Sequence, residues 1–202
     1  MEAFDLIEQA LAAKRKRDFP AAEEILRNAL EVATELSIRE ELLRQLFYLY
    51  FSPAYEDLEQ AQDCLAELDS LDPSAHNGME WVLFLMNSKQ DSASAKKWAE
   101  ITVRRAESEN AVSILYTATA LVGLLAAKEA DVQSVQSALR KLRSLVESNE
   151  ELPWGDEVSF LEASAALNEE IRRDVKALAA QITPKIEDPE YRGRAERLTH
   201  IT

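Results

Sequence analysis

A chain of 202 residues is long enough for one ordinary domain or one repeat array, and it needs no disulfide or metal for stability. Its 4 Gly and 6 Pro stand beside 30 Ala, so turn and strand signals are scarce and helix formers are abundant. This composition excludes a disordered or fibrous chain and argues against a β-rich fold. The net charge of −14 argues against binding to nucleic acid and against a polybasic membrane anchor.

Cysteine and targeting signals point to an intracellular, water-soluble protein. Cys64 is the only cysteine, so an internal disulfide is impossible, and its place in an apolar helical pattern predicts a core residue. The acidic start of the chain lacks the features of a signal peptide. Residues 110–127 carry no charge, but they include polar side chains and barely reach the length of a membrane span. We therefore expect a buried helix there, no membrane association and a cytoplasmic location.

Apolar residues recur every three or four positions almost throughout, which predicts consecutive helices. The first ends before Asp18 and the second follows it. A capping box from Ser37 to Glu40 predicts the start of the third helix, and Ser52 before Pro53 predicts the start of the fourth. All six prolines fall at or near predicted breaks. Further helices are predicted over about 75–89, 92–108, 110–128, 131–149, 156–167 and 169–183.

These helices come in pairs, because a similar pattern opens every second one. An aspartate and an apolar residue precede a small or apolar anchor, and most of the anchors are followed four residues later by another apolar residue. The aspartates are Asp18, Asp57, Asp91 and Asp131. The anchors are Ala22, Ala61, Ala95, Val135 and Ile171, with spacings between 34 and 40 residues. The drift in this spacing is typical of helix pairs joined by variable loops.

On these residues the chain resembles the tetratricopeptide repeat (TPR) family, most closely through Asp18, Phe19, Ala22, Leu26 and Ala29. The resemblance implies an all-α, right-handed α-α superhelix of about five helix pairs, with a concave groove. The pairs would span about 3–36, 37–73, 75–108, 110–149 and 154–184, with a polar capping helix over 187–202. Gly123 falls where the two helices of a pair would touch. Arrays of 36–40 residues in bacterial regulators, and a generic helical bundle, remain alternatives.

Residues suited to catalysis are scarce. His76 and His200 have no second His or Cys at ligand spacing, and the four glycines form no phosphate-binding loop. Adjacent carboxylates such as Glu169 and Glu170 point about 100° apart on a helix and do not converge on one substrate. We therefore expect no catalytic residue, no metal and no cofactor, and we predict that the chain is not an enzyme.

An aromatic cluster at residues 47–51 carries the strongest functional signal. Four aromatics in five residues cover more than one helix face, so we expect some to line a groove and others to pack between repeats. In the TPR register, the groove residues are Phe47, Tyr50, Glu80, Phe84, Asn87 and Leu124. The resemblance thus implies a scaffold or adaptor that binds a peptide or partner protein in an apolar groove. The alternative is a self-associating module, a homodimer joined through residues 110–127 or an end face.

Overall fold

The computed structural model describes residues 3–89, 91–149, 151–152, 155 and 157–201, and over these residues the chain is helical without strands. The helices pack mainly against their neighbours in sequence. They are α1 (Ala3–Arg15), α2 (Phe19–Val32), α3 (Leu36–Tyr50), α4 (Leu58–Leu71), α5 (Ala75–Phe84), α6 (Ser92–Glu109), α7 (Val112–Lys128), α8 (Val132–Ser148), α9 (Glu157–Ala165), α10 (Glu169–Ile182) and α11 (Pro189–Thr199). A π-helical turn, Leu85–Lys89, follows α5, and a 3₁₀ turn, Thr183–Lys185, follows α10.

The helices belong to two compact units. Unit 1, Met1–Lys89, contains α1 to α5 with the π-helical turn. Unit 2, Gln90–Thr202, contains α6 to α11. The all-helical prediction is confirmed. Pro153 and the predicted starts at residues 154 and 156 lie outside the described residues.

Four aspartates set the starts of α2, α4, α6 and α8, as the repeated sequence pattern predicts. Each carboxylate accepts a hydrogen bond from the backbone N–H three residues later, at distances between 3.0 and 3.3 Å. Such a bond satisfies one of the N–H groups that the first helical turn leaves without a partner. The four capping residues are Asp18, Asp57, Asp91 and Asp131.

The predicted helix starts at Ser37 and Ser52 are wrong. Helix α3 begins at Leu36, so Ser37 lies inside its first turn. Ser52 holds a turn instead, because its carbonyl accepts from the N–H of Tyr55 at 2.9 Å. The Tyr55 ring stacks on Phe19 with centroids 5.6 Å apart, which anchors the loop to α2 and delays α4 until Leu58. The error at Ser52 arises because a contact outside the local sequence holds the loop before α4.

Several side-chain contacts between helices or their ends join residues 31 to 34 positions apart. In unit 1 these are Arg27–Gln60, Arg44–Asn77 and Tyr48–Glu80. In unit 2 they are Lys96–Glu129, Glu107–Lys141, Arg143–Asp174, Glu147–Gln181 and Glu162–Arg194. Other contacts depart from this spacing, since Glu23–Tyr50 joins residues 27 apart and Lys185 reaches Val146 across 39.

Helix α7 is formed by most of the uncharged segment that the sequence predicts to be buried. It packs against α6, α8 and α9, and its Tyr116 and Leu125 are almost fully buried. Asn110 lies outside it, in the left-handed conformation that ends α6. Among the described residues, no helix has both the length and the apolar character to cross a bilayer.

Gly123 allows α9 to approach α7 closely. A Cβ atom at this position would lie 2.5 Å from two carbons of the Phe160 ring. The prediction that Gly123 serves the contact within its own helix pair is therefore wrong, because the ring belongs to the next pair. A glycine inside a helix costs about 1 kcal/mol relative to alanine, and here that cost is offset by the packing of a buried aromatic ring.

We expect Gly123→Ala to lower the free energy of unfolding by about 1–2 kcal/mol, because the overpacking against Phe160 exceeds the gain in helix propensity. Gly193→Ala in α11 is the matched control, since a Cβ there meets no atom within 4 Å. The control should be unchanged or up to about 1 kcal/mol more stable. Urea denaturation measures both variants. Equal stability of the two would contradict the assigned role of Gly123.

Candidate functional site

The aromatic residues expected in the groove are core residues of unit 1. The exposed fractions of Phe47, Tyr50 and Phe84 are 0%, 1% and 0%. The Phe47 and Phe84 rings meet edge to face with centroids 6.2 Å apart, and Phe51 packs 5.8 Å from Phe84. A ligand cannot reach buried rings, so these three residues do not form a binding surface in this structure. Residues 47 and 50 share the inward face of α3 because they lie about one helical turn apart.

Tyr50 instead stabilises a polar junction between α2 and α3. Its hydroxyl donates to Glu23 Oε1 at 2.7 Å, and the Tyr55 hydroxyl donates to Glu23 Oε2 at 2.7 Å. Arg27 Nε donates to the same carboxylate at 2.8 Å. Burial raises the pKa of Glu23, but these three donors outweigh burial and hold that pKa below its usual value. The junction fixes the loop before α4 to α2.

The surface between α3 and α5 is formed by residues adjacent in sequence to the predicted ones. Tyr48 and Leu83, one position from Phe47 and Phe84, are each 38% exposed. We call the surface of Arg44, Tyr48, His76, Glu80, Leu83 and Asn87 the α3–α5 face. Residues 76, 80, 83 and 87 follow the three- and four-residue spacing of one helix face. Of the two predicted residues in this set, Asn87 is exposed, whereas Glu80 is buried with only 8% of its surface exposed.

Hydrogen bonds hold the α3–α5 face in one arrangement. The Tyr48 hydroxyl donates to Glu80 Oε1, and His76 Nε2 lies 3.8 Å from the same oxygen. Arg44 Nη2 donates to Asn77 Oδ1 at 3.3 Å, which ties α3 to α5 a second time. Because its hydroxyl is held, the Tyr48 ring is already oriented before a ligand binds.

The Tyr48 hydroxyl remains a donor over the whole physiological range. Burial, followed by the hydrogen bond to Glu80 and its negative charge, raises the pKa of Tyr48 to about 12. The phenol therefore keeps its proton and its bond to the carboxylate at neutral pH. This contact presents the apolar ring to solvent at a fixed angle.

The remaining predicted residue, Leu124, belongs to unit 2. It is partly buried and packs against the core of that unit. Near it in sequence, Thr119 and Val122 of α7 line an open furrow with residues of α6 and α8. The furrow has a volume of about 290 Å³, and its other lining residues are Glu100, Val103, Arg104, Ser134, Ser137, Ala138 and Lys141.

Ion pairs between α6 and the α7–α8 segment cross both ends of this furrow. Lys96 Nζ lies 2.6 Å from Glu129 Oε2 and 3.2 Å from Asp131 Oδ2 at one end. Lys141 pairs with Glu107 at the other. The Thr119 hydroxyl donates to the Leu115 carbonyl at 2.6 Å and so is engaged within its own helix. The furrow thus offers a mixed polar and apolar surface with salt-bridged ends.

Side chains suited to hold a metal do not cluster in the part of the chain that the structure describes. No group of three or more His, Cys, Asp or Glu side chains there could hold a metal ion. Cys64 is a core residue, as predicted, and burial raises the pKa of its thiol to about 12, which disfavours the nucleophilic thiolate.

Comparison with family models, with curated proteins and with solved structures finds no match for this chain.

Tyr48 and Leu83 were missed because the groove register was taken from the repeat pattern. A signal for Tyr48 exists in the sequence, since it follows Arg44 by four residues and so shares a face with a charged side chain. Leu83 follows His76 by seven residues and Glu80 by three, which places it on a polar face as well. This spacing from charged and polar side chains indicates that both residues lie toward the surface.

The Tyr48–Glu80 bond predicts a pH dependence at the alkaline side. The folded-state pKa of Tyr48, about 12, exceeds its unfolded value, so its contribution is complete below about pH 10 and is lost as the pH rises through about 12. We expect Tyr48→Phe to lose less stability than wild type between about pH 9 and 11. The difference should be roughly 1 kcal/mol, because solvent screens a side chain this exposed.

Urea denaturation at the two pH values measures this difference, and absorbance of tyrosinate tests its cause. Glu80→Gln should bring the pKa of Tyr48 back toward 10, since it removes the negative charge beside the phenol. Parallel pH profiles for wild type and Tyr48→Phe would show that the bond does not form in solution.

Proposed function

We propose that this chain is a non-enzymatic scaffold or adaptor, a divergent TPR-like helical repeat that binds a partner protein or peptide through the α3–α5 face. Support for a repeat comes from the side-chain contacts between successive helix pairs. Several of these contacts join residues 31 to 34 positions apart, close to the 34-residue period of the TPR family. In such an array the first helices of successive pairs line the binding surface, and α3 and α5 hold those positions in this chain.

The observation that carries the proposal is the pair of exposed apolar side chains on these two helices. Tyr48 and Leu83 are both 38% exposed, and the Tyr48–Glu80 hydrogen bond joins their helices. Partly exposed aromatic and aliphatic side chains in a fixed arrangement are typical anchors of protein interfaces. The proposal retains the predicted class of function but transfers the anchors from Phe47 and Phe84 to Tyr48 and Leu83.

Charge supports a partner with basic side chains. Residues 1–89 contain 18 acidic and 8 basic residues, a net charge of −10 within the chain's total of −14. On the α3–α5 face itself, Glu41 pairs with Arg44 at 3.4 Å and the Glu80 carboxylate is held by Tyr48, so the acidic character comes from the rest of the unit. An acidic surface favours approach of a basic partner and weakens that of an acidic one. We therefore propose a segment with apolar and basic side chains, either an amphipathic helix or an extended peptide.

Peptide selection followed by point variants tests the proposal. Peptides selected against the full chain from a random display library should be rich in apolar and basic residues. We expect Leu83→Glu to weaken their binding about tenfold or more, because a charge would be buried against an apolar side chain. Isothermal titration calorimetry with the selected peptides measures this change.

Val132→Glu is the matched control, since Val132 is also 38% exposed but lies at the start of α8 in unit 2. It should bind the selected peptides as wild type does. Circular dichroism of both variants should match wild type, because neither side chain is buried. Selected peptides that bind Leu83→Glu and wild type equally would place the binding surface elsewhere.

Self-association through residues 110–127 or an end face stays the alternative prediction. Most of residues 110–127 form helix α7, which packs against three helices of its own unit. The central residues of α7 are buried there. A molar mass from light scattering in dilute solution distinguishes a stable homodimer from a monomer.

A further inference from the structure

We propose a second binding site, in unit 2, where basic side chains of α10 take an acidic peptide segment with carboxylates at alternate residues. The site is a cleft lined by Glu169, Arg172, Arg173, Lys176 and Ile201, which we call the α10 cleft. The proposal goes beyond the α3–α5 face and does not rest on it, because it concerns different residues and the opposite charge.

The α10 cleft has the size of a site for several side chains of a partner. Its volume is about 430 Å³, within the range of about 300–1,000 Å³ typical of ligand clefts. Three cationic side chains and one carboxylate line it, which gives a local net charge of +2. Residues 90–202 as a whole contain 19 acidic and 15 basic residues, a net charge of −4. The cleft is therefore a basic surface within an acidic unit.

Lys176 donates to a neutral acceptor. Four other cations of unit 2, Lys96, Lys141, Arg143 and Arg194, each pair with a carboxylate on another element. Lys176 Nζ donates to the backbone carbonyl of Ile201 at 3.4 Å, much as Lys185 Nζ donates to the carbonyls of Val146 and Asn149. A carbonyl oxygen carries no net charge, so this contact does not neutralise the lysine. It also demonstrates that Lys176 reaches an acceptor oxygen inside the cleft.

The spacing of the cations favours a peptide over a small oxyanion. Arg172 and Lys176 are four residues apart, a rise of about 6 Å along the helix. Side chains on one side of an extended peptide repeat at roughly 6.6–6.8 Å. Two carboxylates separated by one residue therefore match the spacing of the two cations, of which Arg172 also donates through Nε to the Ala165 carbonyl at 3.3 Å. Exposed Arg173 can contact the peptide backbone or a further carboxylate.

Fluorescence anisotropy with a labelled peptide of alternating Glu and Ser tests the proposal on the full chain. We expect saturable binding that weakens strongly as salt rises from about 0.05 M to 0.5 M, because screening removes the attraction. The double variant Arg173→Glu with Lys176→Glu should bind about tenfold more weakly or worse, since two attractive charges become repulsive. A peptide of alternating Lys and Ser should not bind the α10 cleft.

The matched control reverses two charges elsewhere in unit 2, Lys97→Glu with Arg140→Glu, both exposed side chains outside the cleft. It should retain wild-type binding, and both double variants should keep the helical circular dichroism of wild type. Equal loss in the two double variants would overturn the proposal, because net charge alone would then explain binding. Displacement of the peptide by inorganic phosphate at equal concentration would also overturn it, in favour of a small oxyanion. Failure of this test leaves the α3–α5 face unaffected, since Tyr48 and Leu83 are unchanged.

Discussion

The structure depends on the constraint that each amphipathic helix must bury its apolar face against the helices next to it in sequence. Short connections leave each helix few other neighbours, and within each unit the main contacts join successive helices or helices two apart. The aspartate caps add to this regularity, because they start α2, α4, α6 and α8 at a defined residue.

Hydrogen bonds and ion pairs between polar side chains fix the register of neighbouring helices, which apolar packing alone specifies less closely. The Glu23 carboxylate gathers donors from α2, α3 and the loop before α4, and the Tyr48–Glu80 bond joins α3 to α5. In unit 2, salt bridges such as Lys96–Glu129 do the same across the furrow. Individually, exposed ion pairs contribute little to stability, typically below about 1 kcal/mol. Their larger effect is to select one register between neighbouring helices, which also determines which side chains remain on the surface.

The two proposed sites differ in charge and in origin. The α3–α5 face combines apolar anchors with an acidic surrounding, in a unit whose net charge is −10. The α10 cleft collects Arg172, Arg173 and Lys176 in a unit that is also acidic overall. A scaffold with one acidic and one basic surface can discriminate between partners of opposite charge, because each surface repels the ligand of the other.

Much of the secondary structure could be predicted from the sequence because it depends on local interactions. Helix content, the approximate helix ranges and the four aspartate caps depend on hydrogen bonds and side-chain spacing within a few residues, and all of these were predictable. The small volume of Gly123 also indicated a close helix contact. The predicted cap at Ser52 failed because the Phe19–Tyr55 contact, between residues 36 positions apart, outweighs a local capping signal.

Only the tertiary structure decided which aromatic side chains are buried and which partner Gly123 contacts. A helix turns by about 100° per residue, so a shift of one position exchanges a buried ring for an exposed one, as between Phe47 and Tyr48. The sequence of α3 contains aromatic residues on both faces and cannot distinguish them by pattern. The choice depends on what α5 presents to α3, Phe84 on the inside and Glu80 at the rim, and that pairing exists only after the helices have packed.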